Sequence, residues 1–134
     1  MKGRDIGSLV VYTQEKGRPK YPRLTKKGEV GDDWNLAMIS INTKQPYQVI
    51  FEGVVGKGLY GDIGLDDIKL LSATQGQCPS TTACTFETGL CAFRNTLIGD
   101  EFDWTLNKGE TRSSNTGPTV DHTLQNKNGL FMWS

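Results

Sequence analysis

Alternation with a period of two, cut into short runs by turn-forming residues, is the property of this chain that most narrows its fold. In Tyr47–Glu52 (YQVIFE) the bulky Tyr47, Val49 and Phe51 alternate with Gln48, Ile50 and Glu52, the signature of a strand with one better-buried face. Ile6–Thr13, Trp34–Ile41 and Ile63–Leu71 share its richness in β-branched, aromatic and aliphatic residues, and Gly, Pro, Asn or Asp clusters bound each run. Strands are therefore expected at 6–13, 34–41, 46–55 and 62–71, with shorter ones at 84–88, 102–106 and 129–133, paired antiparallel. No segment carries a helical period of comparable quality. Sixteen glycines and five prolines in 134 residues supply the turns, and short strands at such spacing predict an all-β, jelly-roll-like antiparallel β-sandwich.

Charge removes some classes of partner. Fifteen Lys and Arg balance fifteen Asp and Glu, so no net field draws nucleic acid over long range. No apolar run approaches the roughly 18 to 20 residues of a helical membrane span. Two stretches read as connections. Gln14–Asp33 carries Lys16, Arg18, Lys20, Arg23, Lys26 and Lys27 around a short strand at Tyr21–Thr25, a solvated loop or hairpin. Ser72–Ala83 (SATQGQCPSTTA) is small and polar, as a linker would be.

Catalytic constellations are thin. His122, in VDHT beside Asp121, is the single histidine, and no G-x-S-x-G elbow accompanies it, so a Ser-His-Asp hydrolase is not expected. Glu87, Asp66, Asp67 and Asp103 could supply a glycosidase-like carboxylate pair only at a separation that sequence does not define. Phe86, Phe102, Trp104, Trp34, Phe51 and Phe131 sit in or beside β-like runs and are assigned to packing, Trp104 foremost in the second half. The three cysteines, Cys78, Cys84 and Cys91, admit free thiols, a bridge with one left over, or a Cys₃His zinc site with His122; the lack of a C-x₂-C pair weighs against zinc.

Residues 84–133 carry CTFETGLCAFRN, DEFDWTLNKG, SSNTGPTVDHT and GLFMWS in that order. This resembles the N-terminal part of a MAM domain, the extracellular module of meprins, neuropilins and mu-type receptor tyrosine phosphatases. Residues 1–78 carry MKGRDIGSLVVY, GDDWNLAMISI, PYQVIFEGVVGKGLYGDIGLDDIKLL and Cys78, which resemble the C-terminal part. The inverted order implies the junction of two tandem repeats, both incomplete: 1–78 closes one, 79–83 links, and 84–134 opens the next, the whole a fragment of a longer protein. Should the parts pack together, the result is a circular permutant with an open edge. The resemblance further implies a Cys84–Cys91 disulfide and leaves Cys78 unpaired.

By the same resemblance the expected function is a non-catalytic extracellular or cell-surface module, engaging other proteins or its own kind, without nucleic acid or membrane insertion. A carbohydrate-binding jelly roll is the alternative, since architecture alone does not decide function. An exposed row of aromatics on a sheet face would favour sugar, and a broad mixed patch would favour protein. Glu87, Asp66, Asp67, Asp103 and Asp121 are the candidate ligands of a structural Ca²⁺, which takes hard carboxylate oxygens.

Overall fold

A computed structural model describes residues 1–71 and 83–134. Cys78 and positions 79–82 of the linker lie outside them. Among the described residues there are eight strands and no helix: β1 Ser8–Glu15, β2 Tyr21–Lys27, β3 Tyr47–Val54, β4 Gly64–Leu65, β5 Ile68–Lys69, β6 Ala83–Cys84, β7 Thr105–Lys108 and β8 Leu130–Trp133. All pair antiparallel, in sheets ordered β2-β1-β3, β4-β8-β7 and β5-β6.

The first sheet follows from the alternation. Register sets Val11 opposite Phe51 and Leu9 opposite Gly53, and Leu9, Val11 and Ile63 form a buried cluster joined by Leu24, Val49 and Phe51. Glu52 falls on the other face, where it accepts the Tyr12 hydroxyl and pairs with Lys20 at the base of the β1–β2 loop. That ammonium holds the Glu52 carboxyl below its usual range. Arg23 is the extra residue of a bulge opposite Val11 and Tyr12 and donates to the Thr13 hydroxyl.

The second half builds a smaller cluster of Cys84, Phe86 and Met132. Strands from the two halves pair: Gly64 and Leu65 with Trp133 and Met132, Ile68 and Lys69 with Cys84 and Ala83. Leu65 and Trp104 pack against both clusters, and the Trp104 indole donates to the Phe51 carbonyl at 3.2 Å. The two halves thus share one interior.

Four expected strands differ from what forms. Trp34–Ile41 belongs to no ladder; a run with strand composition still needs a backbone partner. Side chains fix it instead, through Ile39 in the first cluster and Trp34, which donates to the Val120 carbonyl and meets the Phe131 ring edge-on. The run at 62–71 breaks into β4 and β5 because Asp67 takes a left-handed φ of 50°. At 84–88 the strand ends at Cys84, where a turn closes through the Gly89 amide on the Phe86 carbonyl. The 102–106 strand begins later, at Thr105, and Phe102, expected in the core, is 67% exposed.

Trp104→Ala should cost about 3 kcal/mol, as large-to-small changes at packed aromatics do. Trp104→Phe, losing chiefly the bond to Phe51, should cost about 1 kcal/mol. Urea unfolding followed by far-UV circular dichroism checks both; equal losses would mean that the hydrogen bond carries what is here assigned to packing.

Candidate functional site

Asp66 and Asp67, which break the strand, reach the loop at residues 121–126. The Asp66 carboxylate accepts the amides of His122 at 2.9 Å and Thr123 at 3.3 Å, and that of Asp67 at 2.8 Å. Burial raises its pKa, partly offset by those amides. Asp67 Oδ2 lies 2.5 Å from His122 Nδ1, and Trp34 meets that imidazole edge-on. Among the described residues no hydroxyl or thiol is hydrogen-bonded to the His122 ring, so the histidine has an orienting acid but no nucleophile.

The remaining candidate carboxylates are occupied separately. Asp121 is fully buried and accepts the amides of Leu124 and Asn126, closing its own loop. Its carboxylate lies so close to Gly129 that a Cβ there would approach Oδ1 to 2.2 Å. Glu87 Oε1 accepts the Leu130 amide at 3.2 Å, and Asp103 is exposed. Among the described residues no group of three or more His, Cys, Asp or Glu side chains gathers where a metal ion could sit. Backbone amides bond the carboxylates of Asp66, Glu87 and Asp121, each within its own part of the molecule.

Cys84 and Cys91 form a disulfide with Cα atoms 6.1 Å apart, inside the range of about 4.4 to 6.8 Å that the bond requires. It closes the Phe86–Leu90 turn beneath Phe93, whose ring contacts both Phe86 and Phe51.

Surface features make the stronger site. A groove of about 190 Å³ runs beneath residues 30–37, between Leu9, Leu24, Trp34 and Pro118, smaller than the roughly 300 Å³ at which small-molecule sites begin. Beyond it the chain presents apolar side chains of mixed type: Leu36 and Met38 on the unladdered segment, Leu59 and Tyr60 before Ile63, and Leu97, Ile98 and Phe102 on one loop. That loop, residues 96–103, is closed at its neck by a reciprocal pair: Asn95 donates to the Trp104 carbonyl at 3.0 Å and accepts the Trp104 amide at 3.1 Å. Leu97 is 97% and Ile98 86% exposed, beside the exposed Asp100, Glu101 and Asp103. Sequence reasoning missed this loop by assigning Phe102 to the core; the carboxylates on both sides of it, DEFD, were the available signal.

The family model described as "MAM domain, meprin/A5/mu" matches residues 1–79 and 84–134. The chain is 41% identical over 81 residues to MAM domain-containing glycosylphosphatidylinositol anchor protein 1 of Rattus norvegicus, covering 59% of this chain and 8% of that protein. It is 39% identical over 80 residues to MAM domain-containing glycosylphosphatidylinositol anchor protein 2 of Mus musculus, 58% of this chain and 8% of that protein. Thyroid hormone-induced protein B of Xenopus laevis is 29% identical over 128 residues, 94% of this chain and 18% of that protein. The chain therefore spans less than a tenth of the anchor proteins that it matches. No solved structure matches it.

Asp66 gives a pH prediction. A raised folded-state pKa means that its contribution to stability is present below the unfolded value and lost as pH rises through the folded value. Against Asp66→Asn, which stays neutral throughout, the native chain should gain relative stability as pH falls from neutral into the range just above ordinary aspartate. Chemical denaturation of both proteins across that window reads the difference; a difference independent of pH would contradict the assignment. At the neighbouring loop, Gly129→Ala should lower stability by about 1 to 3 kcal/mol through overpacking against Asp121, read as a shift in the denaturation midpoint.

Proposed function

The chain belongs to the MAM family, and from that premise we propose that it is a non-catalytic, extracellular protein-interaction module of a larger cell-surface protein. The observation that carries this is the chemistry of its exposed face. The large exposed side chains are aliphatic and aromatic together, and the exposed aromatics Tyr21, Tyr60 and Phe102 stand on three separate elements. A sugar platform needs aromatics in a row, whereas mixed apolar anchors with a charged rim suit a protein partner.

The family match in two stretches, 1–79 and 84–134, supports reading them as the end of one repeat and the start of the next. Strand pairing of β4 with β8 and β5 with β6 supports their packing as a permuted unit. The printed names of the anchor proteins support a cell-surface setting. Among the described residues the ring of His122, the chain's single histidine, meets Asp67 and Trp34, which supports a role without catalysis. Calcium has only the abundance of carboxylates in its favour, and binding as proposed requires no ion.

Binding of a multimerised, fluorescent form of the chain to cells separates the two classes of partner. Prior protease treatment of the cells should abolish binding, and enzymatic removal of surface glycans should leave it. Binding that survives protease and disappears with the glycans would replace this reading with the carbohydrate one, and absence of binding to every cell type tried would remove it.

A further inference from the structure

Asparagine followed by glycine is the dipeptide most open to self-modification, because no side chain shields the glycine nitrogen from the asparagine carboxamide. Of the chain's asparagines only Asn128 stands before glycine. Asn128 is exposed and Gly129 is buried. The pair sits directly before β8, the central strand of the β4-β8-β7 sheet, where strands from the two halves meet.

The fold restrains the nitrogen that would react. Cyclisation needs Gly129 N to lose its proton and reach Asn128 Cγ. In the structure the Gly129 N–H donates to Asn126 Oδ1 at 3.2 Å, and the Asn128 N–H donates to the same oxygen at 2.7 Å. A hydrogen bond made by the protonated form disfavours its ionisation. The Asn126 carboxamide is itself fixed, its Nδ2 donating to the Leu124 carbonyl at 3.2 Å, while the Asn126 main-chain amide donates to Asp121 Oδ1 at 3.0 Å. The Asp121 carboxylate fills the space where a Gly129 Cβ would stand, so an anionic nitrogen would form beside a like charge. Beyond Gly129, the Leu130 amide is tied to Glu87 Oε1 at 3.2 Å.

We propose that Asn128 is a latent deamidation site gated by Asn126, reacting only when the 121–129 loop opens. Gly129 N then gives its proton to a solvent base and attacks Asn128 Cγ. The new N–Cγ bond displaces the carboxamide nitrogen, which takes a proton from water and leaves as ammonia, and a succinimide remains. Water opens that ring at either carbonyl, breaking one C–N bond, to give aspartate or isoaspartate at position 128. Isoaspartate routes the main chain through the side-chain carbon and adds one backbone atom shortly before Leu130, whose register partner is Lys108. The modification therefore loosens the sheet that joins the halves, and reclosing the loop does not reverse it.

The full chain tests this at mildly alkaline pH and physiological temperature, with aspartate and isoaspartate at position 128 read by peptide mass spectrometry after digestion in acid. The native chain should convert about tenfold more slowly, or slower still, than the chain unfolded in urea, since only the open loop reacts. Asn126→Ala, its fold checked by circular dichroism, should raise the native rate by about tenfold and leave the rate in urea unchanged, as loss of two hydrogen bonds to one oxygen implies. Asn126→Asp, which keeps an accepting oxygen for both N–H groups, should stay slow. The isoaspartyl chain, separated by ion exchange, should unfold at lower urea than its parent. A native parent that converts as fast as the unfolded chain, Asn126→Ala no faster than the parent, or Asn126→Asp as fast as Asn126→Ala would overturn the gate. An isoaspartyl chain with an unchanged midpoint would overturn the effect on β8. Should Asn126→Ala not fold, the parent's rate in urea below its unfolding transition replaces it: the rate should rise there, as a loop that opens before the whole chain requires, and a rate that waits for global unfolding would overturn the gate.

Discussion

The indole of Trp104 is the interaction on which the rest of the molecule depends. It packs against the cluster of Leu9, Val11 and Ile63 and against the cluster of Cys84, Phe86 and Met132, while its N–H meets the Phe51 carbonyl. Without it the first half is a three-stranded sheet with one apolar face open, and the second is a set of strands two to four residues long, too short to bury a core of their own. Leu65 repeats the bridge on a smaller scale. Through its backbone, Trp104 also closes the neck of the 96–103 loop with Asn95. One residue therefore joins the halves and positions the most exposed apolar element on the surface.

Buried acids complete the union. Asp62, 3% exposed, accepts the hydroxyls of Thr111 and Thr116 from the other half, and Asp66 accepts the amides of His122 and Thr123. Burying a carboxylate is costly unless it is hydrogen-bonded, and each of these is. Such bonds are directional where apolar packing is not, so they fix how the 111–126 loops lie against residues 62–67. Of the candidate cation ligands, Asp66 and Asp121 bond loop amides, and Asp67 meets the His122 ring.

The first sheet was legible because Tyr47–Glu52 and Ile6–Thr13 alternate cleanly, and alternation reports a half-buried face. Their registered pairing places Phe51 opposite Val11 as that pattern implies. The same reasoning failed at Trp34–Ile41, since composition reports burial on one side and says nothing of whether a neighbouring strand is present. It failed at Asp66–Asp67 because Asp66 answers to the amides of His122 and Thr123 and Asp67 to the His122 ring, at least 55 residues away, interactions without local trace. Phe102 was misassigned for the complementary reason: an aromatic reads as core unless its neighbours are weighed, and here three carboxylates flank it. The hairpin around Tyr21–Thr25 was visible in its turn residues.

A shared interior is the central claim, and cutting the connection between the halves tests it most directly. With a protease recognition sequence placed within residues 74–80 and cleaved, and Cys78→Ser in place, the Cys84–Cys91 disulfide lies on one side of the cut; only noncovalent contacts can hold the fragments. Native mass spectrometry and size-exclusion chromatography of the cleaved protein should return one particle of the uncut chain's size, 14.8 kDa, that unfolds in a single transition. Fragments that separate under native conditions, or that unfold in two independent steps, would contradict it.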